Sequence, residues 1–158
     1  MHLCRLHRAG ASAAFAVGVA LSGCGSTADA LSIAHVPFAT GSRVVAQRYG
    51  CPVTPDQCFR YVILRGAPGS TPKQLKRAQR AALRRAQWHF TAGVTRDAVA
   101  ADAPDRKTFI SFETGAEETA DERRGKVSWD AKLGRELRKA VNAGQSVLAI
   151  TLERGHAK

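Results

Sequence analysis

Two nearly continuous apolar segments constrain the fold of this chain more than any other feature. Residues 59–64 and 147–152 are rich in β-branched and other large apolar side chains, so each segment predicts a strand. A strand with so few polar positions is typical of the middle of a sheet. We therefore predict that residues 59–64 form a central strand covered on both faces and that residues 147–152 form a second buried strand.

Two segments between these strands have the spacing of amphipathic helices. The first helix starts with Ser70 or Thr71 as N-cap and Pro72 at the first helical position, and it is predicted to run to about residue 88. The second starts with Ser128 as N-cap and ends at Gly144. The predicted core positions are Leu75, Ala78, Ala82 and Ala86 in the first helix and Trp129, Leu133, Leu137, Ala140 and Val141 in the second.

Three weaker segments complete the predicted sheet. Residues 94–101 and 107–113 predict a hairpin with Ile110 and Phe112 in the core, and residues 42–49 predict a short edge strand. From residue 59 onward the order is strand, helix, strand, strand, helix, strand, which resembles the split pattern of ferredoxin-like folds. The predicted fold class is therefore α+β, with two helices on one face of a small antiparallel sheet.

The first 24 residues carry a different pattern. A basic start with Arg5 and Arg8 precedes the apolar residues 11–21, and the sequence Leu21-Ser22-Gly23-Cys24 closes the segment. This arrangement resembles the signal peptides of bacterial lipoproteins. The resemblance implies that the chain is cut before Cys24 and that the thiol of this cysteine carries a diacylglycerol.

Two other interpretations of the same segment were weighed. Small residues continue to Ala28 and Ala30, so an ordinary secretory signal cut there is the alternative. A transmembrane helix is rejected, because the apolar run is well short of the roughly 20 residues that cross a bilayer. The lipoprotein interpretation gives a signal peptide at 1–23, a flexible tether at 24–41 and a single domain at 42–158, exported and lipid-anchored to the outer face of the cell membrane or its periplasmic side.

The cysteines fit an oxidising compartment. Cys4 lies in the predicted signal and Cys24 is the predicted lipid attachment site, which leaves Cys51 and Cys58 to form a disulfide. A redox-active pair is the alternative, but catalytic disulfides usually have only two residues between their cysteines. The six residues between Cys51 and Cys58 favour a structural disulfide loop.

The charge of the chain is strongly positive. The net charge is +11, and it falls by two to +9 when residues 1–23 are removed with Arg5 and Arg8. Such a charge suits anionic lipid, acidic wall polymers or an envelope protein, and nucleic acid is not expected as a partner. A generally arginine-rich composition is the alternative explanation. One face of the first helix concentrates the cations Lys73, Lys76, Arg77, Arg80 and Arg84 without an acidic residue in the helix.

No pattern of catalytic, cofactor or metal-binding residues stands out. The carboxylates of residues 117–122 lack the alternating oxygen ligands and central glycine of a calcium loop. The loop at residues 66–70 matches no phosphate-binding motif, and Pro68 and Pro72 remove two amide donors there. His89 is predicted to lie at the end of the first helix as a partly buried or capping residue. We therefore predict a protein without catalytic activity, cofactor or metal.

Two hypotheses of function follow. The first is a membrane-anchored envelope lipoprotein whose basic domain binds an anionic surface or a protein partner through the cations of the first helix. The alternative is a module that binds cell-wall glycan, with Tyr61 and Phe109 exposed on the uncovered sheet face. An enzyme whose site no spacing reveals is a third and weaker hypothesis, and the sequence predicts no oligomeric state.

Overall fold

The two apolar segments become neighbouring strands inside an antiparallel sheet. The structure is a computed structural model that describes residues 31–50, 58–91, 98–125 and 131–154. In these ranges six strands and three α-helices form an α+β architecture, as predicted. Along the chain they are β1 (Arg43–Gly50), β2 (Phe59–Arg65), α1 (Pro72–Arg85), β3 (His89–Thr91), β4 (Val99–Asp102), β5 (Thr108–Thr114), α2 (Gly115–Arg123), α3 (Ala131–Asn142) and β6 (Val147–Arg154).

The sheet has the spatial order β1-β2-β6-β5-β4-β3, and every neighbouring pair is antiparallel. The strand β6, which is the last in the chain, therefore lies between β2 and β5. The predicted hairpin is present as β4 paired with β5, and the predicted edge strand is present as β1. The predicted ferredoxin-like order is not confirmed, because from residue 59 onward the chain has an additional strand, β3, and an additional helix, α2.

Helices α1 and α3 cover opposite faces of the sheet. Val62 of β2 and Ile150 of β6 belong to a buried cluster with Leu83 of α1. Ile63 and Ala149, their neighbours along the strands, belong to a second cluster with residues of α3. Successive residues of a strand point to opposite faces, so α1 and α3 lie on different sides of the sheet. The expectation that the two predicted helices, α1 and α3, share one face is not confirmed, because β2 and β6 are apolar on both faces and each face needs a cover.

Helix α1 begins as predicted but packs through a different set of residues. Thr71 is the N-cap, and its side chain and that of Gln74 form a reciprocal capping box. Leu75 and Ala82 are buried, whereas Ala78 is exposed and Gln79 is fully buried. The Gln79 amide accepts a hydrogen bond from the Ala39 N–H at 2.9 Å and donates one to the Pro37 carbonyl at 3.0 Å. These two bonds explain why a polar residue takes the core position expected for Ala78.

The segment that Gln79 holds was predicted to be a flexible tether. In the structure Leu31, Val36 and Ala39 are buried in the same cluster as α1. A short 3₁₀ turn at Ile33–His35 leaves His35 exposed, as expected for a solvated histidine. The folded unit therefore includes residues 31–41, and the predicted tether 24–41 does not describe them. Residues 24–30 lie outside the described ranges.

Several other predictions also fall outside those ranges, namely the signal peptide 1–23, Cys24, Cys51, the N-cap Ser128 and Trp129. Cys58 is 1% exposed, and its predicted partner Cys51 is not described, so the disulfide between these two cysteines stays a prediction. His89 lies in β3 and not at the end of a helix, because α1 ends at Arg85. In the part of the chain that the structure describes, none of the helices has the length and apolar character needed to cross a bilayer.

Candidate functional site

Four of the five predicted cations of α1 form an exposed basic face. Lys73, Arg77, Arg80 and Arg84 are exposed, and we call these four residues the basic face. Lys76 differs, because its ammonium group lies 2.9 Å from the Glu117 carboxylate of α2. None of the four basic-face residues forms an ion pair with any described residue. Their positive charge is therefore directed to solvent.

An aromatic ring orders two of these cations. The guanidinium groups of Arg80 and Arg84 lie 5.2 and 5.4 Å from the centre of the Phe90 ring in β3. Attraction between a cation and the face of an aromatic ring is worth about 0.5–1 kcal/mol at exposed sites. The ring therefore reduces the mobility of both guanidinium groups without neutralising them. Neither Lys73 nor Arg77 lies over an aromatic ring of the described residues.

The opposite side of the molecule presents a polar and aromatic surface. The strand register places Phe59, Glu153 and Phe109 in one cross-strand row and Tyr61, Thr151 and Ser111 in the next. These six residues share the sheet face that α1 does not cover, and we call them the aromatic sheet face. The rings of Phe59 and Tyr61 stack with centres 6.2 Å apart. Tyr61 and Phe109 thus lie on one face, but both are partly buried, so they are less exposed than predicted.

Beside this face lies a pair of buried carboxyl groups that the sequence did not reveal. Glu113 at the end of β5 is 8% exposed, and Glu118 in α2 is 6% exposed. Burial, the hydrogen bond with Glu118 and the negative charge of that residue raise the pKa of Glu113 to about 8, with Asp121 and Glu117 adding to the effect. Glu113 is therefore protonated at neutral pH, and its carboxyl O–H donates a hydrogen bond to Glu118.

The two glutamates meet because α2 begins immediately after β5. Thr114 ends the strand and caps the helix, with its side chain accepting a hydrogen bond from the Glu117 N–H. This sharp change of direction folds Glu118 back over the end of the strand. The alternation of β5 could have indicated that Glu113 is on the face opposite Phe112. A threonine followed three residues later by a glutamate, here Thr114 and Glu117, is the sequence signature of a capping box and could have indicated that a helix starts directly after the strand.

The pKa values of two neighbouring groups follow from the same surroundings. Burial and the negative charges of Glu153 and Glu118 raise the pKa of Tyr61, so its hydroxyl keeps its proton. Burial raises the pKa of Glu117, but hydrogen bonds from Lys76 and Thr114 outweigh it and lower the pKa below its usual value. Glu117 is therefore ionised while Glu113 is neutral, although both lie near the same junction.

The chemistry available at this face is hydrogen bonding and apolar contact. It combines the Glu153 carboxyl group, the Tyr61 hydroxyl, two small hydroxyls and three aromatic rings, and the protonated Glu113 is buried beside it. Within the described ranges, no group of three or more histidine, cysteine, aspartate or glutamate side chains is placed to hold a metal ion. Comparison of the chain with protein-family models, with curated proteins and with solved structures finds no match.

Proposed function

We propose that this chain is the exported domain of a lipid-anchored envelope protein that binds an anionic surface through its basic face. One observation carries the proposal: the basic face and residues 31–42, the segment nearest the predicted lipid at Cys24, cover the same side of the sheet. Gln79 of α1 is hydrogen-bonded to this segment at Pro37 and Ala39. A lipid at the start of this segment would hold α1, rather than α3, next to the membrane.

The distance between the predicted anchor and the folded unit supports the same orientation. Leu31 is fully buried, so the folded unit starts no later than this residue. The seven residues from Cys24 to Leu31 reach at most about 25 Å when fully extended. Electrostatic attraction between exposed charges is screened over about 8–10 Å at physiological salt. An anchor this short allows the basic face to come within that distance of anionic head groups.

The test compares two variants that change the net charge equally. Lys73, Arg77 and Arg84 are replaced by glutamate in one, and the exposed α3 residues Lys132, Arg135 and Lys139 are replaced by glutamate in the other. Sedimentation with vesicles containing phosphatidylglycerol should be reduced at least tenfold by the α1 variant. It should fall much less in the α3 variant, and wild-type binding should weaken as salt is raised.

Two outcomes would contradict this proposal. Equal losses in both variants would mean that net charge alone determines binding, without a specific face. Full binding by the α1 variant would remove α1 from the interaction. Circular dichroism of both variants checks that the exchanged surface residues leave the fold intact.

A glycan-binding function is the second candidate, and a specific observation favours it. Phe59, Tyr61 and Phe109 bring three aromatic rings to one face beside hydroxyl and carboxyl groups. Aromatic rings with nearby hydrogen-bonding groups suit the apolar faces and hydroxyls of sugars. Retention on purified cell-wall sacculi that persists at high salt, and that Phe109→Ala abolishes, would favour this candidate over the basic face.

A further inference from the structure

A cavity of about 590 Å³ lies at the end of the sheet where β2 leads into α1. The loop at residues 66–70 forms one wall, and residues 144–146 before β6 form another. Arg43 and Arg65 complete the lining, which contains no acidic residue. The cavity is separate from both surfaces described above, since it shares no residue with the basic face or with the aromatic sheet face.

The two arginines form an unusual pair. Arg43 and Arg65 are direct cross-strand partners in the β1–β2 ladder. Like charges opposite each other destabilise a sheet unless something compensates them. Arg65 donates a hydrogen bond to the Gln145 side chain at 3.2 Å, and neither arginine forms an ion pair with any described residue. Both also line a neighbouring cavity that contains Glu136 and Lys139, so one carboxylate is in their wider surroundings.

The loop beside them brings two hydroxyl groups together. Gly66 allows both hydroxyl groups to lie close to the backbone. A β-carbon at this position would lie 2.5 Å from the Ser70 hydroxyl oxygen and 3.3 Å from the Ser146 hydroxyl oxygen. The Ser70 hydroxyl donates to the Ala67 carbonyl at 2.7 Å. Ser146 is only 8% exposed, and its hydroxyl has no hydrogen-bond partner in the described structure. A buried hydroxyl without a partner costs free energy that a ligand or a water molecule can recover.

The position of α1 adds to the positive potential. The loop leads directly into the N-terminus of this 14-residue helix, where the backbone dipoles present their positive end. Although Pro68 and Pro72 remove two amide donors, the arginines provide charged donors that recognise phosphate oxygens in pairs. Two guanidinium groups, an unpartnered hydroxyl and a lining without acids all favour an anionic ligand.

We propose that this cavity binds a phosphate group. Arg43 and Arg65 contact its oxygens, and the 66–70 loop closes around it. The bound group relieves the repulsion between the two guanidinium groups, so binding stabilises β1 against β2. The phosphate belongs either to a soluble phosphate ester or to the diester of a lipid head group, and the cavity recognises the chemistry that the two share. This inference does not depend on the surface-binding proposal.

Thermal unfolding of the whole protein tests this inference, with chloride replacing phosphate at equal ionic strength as the reference. Inorganic phosphate and glycerol 3-phosphate represent soluble sources, and glycerophosphoglycerol represents a head-group diester. We expect at least one of them at 10 mM to raise the melting temperature by about 2 °C or more. A ligand has this effect when it binds only the native state and its Kd is well below its concentration. A shift with inorganic phosphate or glycerol 3-phosphate but not with the diester would indicate a soluble ester, and a shift with glycerophosphoglycerol would indicate a head group.

The matched variants are R43Q/R65Q in the cavity and R77Q/R84Q on the basic face. The first should lose the phosphate-dependent shift, and the second should keep it. No shift with any of the three compounds, or an equal shift in R43Q/R65Q, overturns the proposal. If R43Q/R65Q does not fold, the amide resonances of the wild-type protein are followed by NMR during a titration with phosphate. The proposal requires that the resonances of Gly66 and Gly69 shift and that those of α3 do not.

Discussion

Glu113 shows how a single side chain can make the stability of this protein depend on pH. Its usual pKa near 4.5 is raised to about 8 in the folded chain. Between these values the native state keeps a proton that the unfolded state releases. The free energy of unfolding therefore falls as pH rises from about 4.5 to about 8. Above pH 8 the titration of Glu113 no longer changes it. The cost to stability at pH 8 is on the order of a few kcal/mol.

Glu113→Gln should remove this dependence, because the amide can donate to Glu118 as the protonated acid does. We expect similar melting temperatures for the two proteins near pH 5 and a more stable variant at pH 8. Thermal unfolding between pH 5 and pH 9 measures the difference. Parallel curves for wild type and variant across that range would mean that Glu113 titrates normally.

The residues that the sequence did not reveal share one property. Gln79 and Glu113 are polar residues at buried positions, and each has its partner on another element: Ala39 in the N-terminal segment for the first and Glu118 in α2 for the second. Periodicity assigns a polar residue to the surface unless its partner is known. Apolar positions such as Leu75, Ile110 and Phe112 could be predicted because burial needs no specific partner.

At the level of elements, strong local signals predicted structure well. The capping residue Thr71 with Pro72 placed the start of α1, and Gly144 adopts the positive φ of 68° that suits the end of α3. The strand β3 was missed because it has only three residues and follows a helical pattern directly. Periodicity does not predict helix α2, because this helix has no apolar stripe.

Helix α2 depends on close contact at its first residue. A β-carbon on Gly115 would lie 2.6 Å from a methyl carbon of Val147 and 2.9 Å from one of Val141. Both neighbours are branched side chains at the contact with β6 and α3, so they have little freedom to move aside. Gly115→Ala should therefore destabilise the protein by about 1–3 kcal/mol through overpacking, despite the higher helix propensity of alanine.

Urea unfolding measures this effect. Gly69→Ala is not a suitable control, because Gly69 has a positive φ of 78° that alanine disfavours. Gly50→Ala is suitable, since a β-carbon there meets nothing within 4 Å. We expect a change of less than about 1 kcal/mol for Gly50→Ala. A neutral or stabilising Gly115→Ala would mean that α2 can shift away from β6 at little cost.

For the whole molecule, the sequence contained two signals that conflicted. The order of elements resembled a fold with helices on one face, whereas the apolar character of residues 59–64 required a cover on both faces. The local composition was the better guide. Covering each apolar face of the strands contributes favourable free energy, whereas the order of elements along the chain contributes none by itself. The result places the cations of α1 and the carboxyl groups beside the aromatic sheet face on opposite sides of the sheet.

Residues 31–42 complete the cover of the sheet face on which α1 lies. The stability of the folded unit should therefore depend on this segment. Burial of an apolar side chain contributes about 1.5–3 kcal/mol for a residue such as leucine or valine. The buried Leu31 and Val36, the smaller Ala39 and the two hydrogen bonds of Gln79 together approach the total stability of a typical domain, about 5–15 kcal/mol.

A chain that starts at residue 43 should therefore be unfolded or only marginally stable at 37 °C, whereas a chain that starts at residue 30 should unfold cooperatively at a higher temperature. Calorimetry of both chains measures this, and Leu31→Ala in the longer chain should cost about 2–5 kcal/mol. Equal melting temperatures for the two chains would show that residues 31–42 contribute nothing to stability. In that case the segment could leave α1 freely, and the basic face would lose its fixed position relative to the predicted anchor.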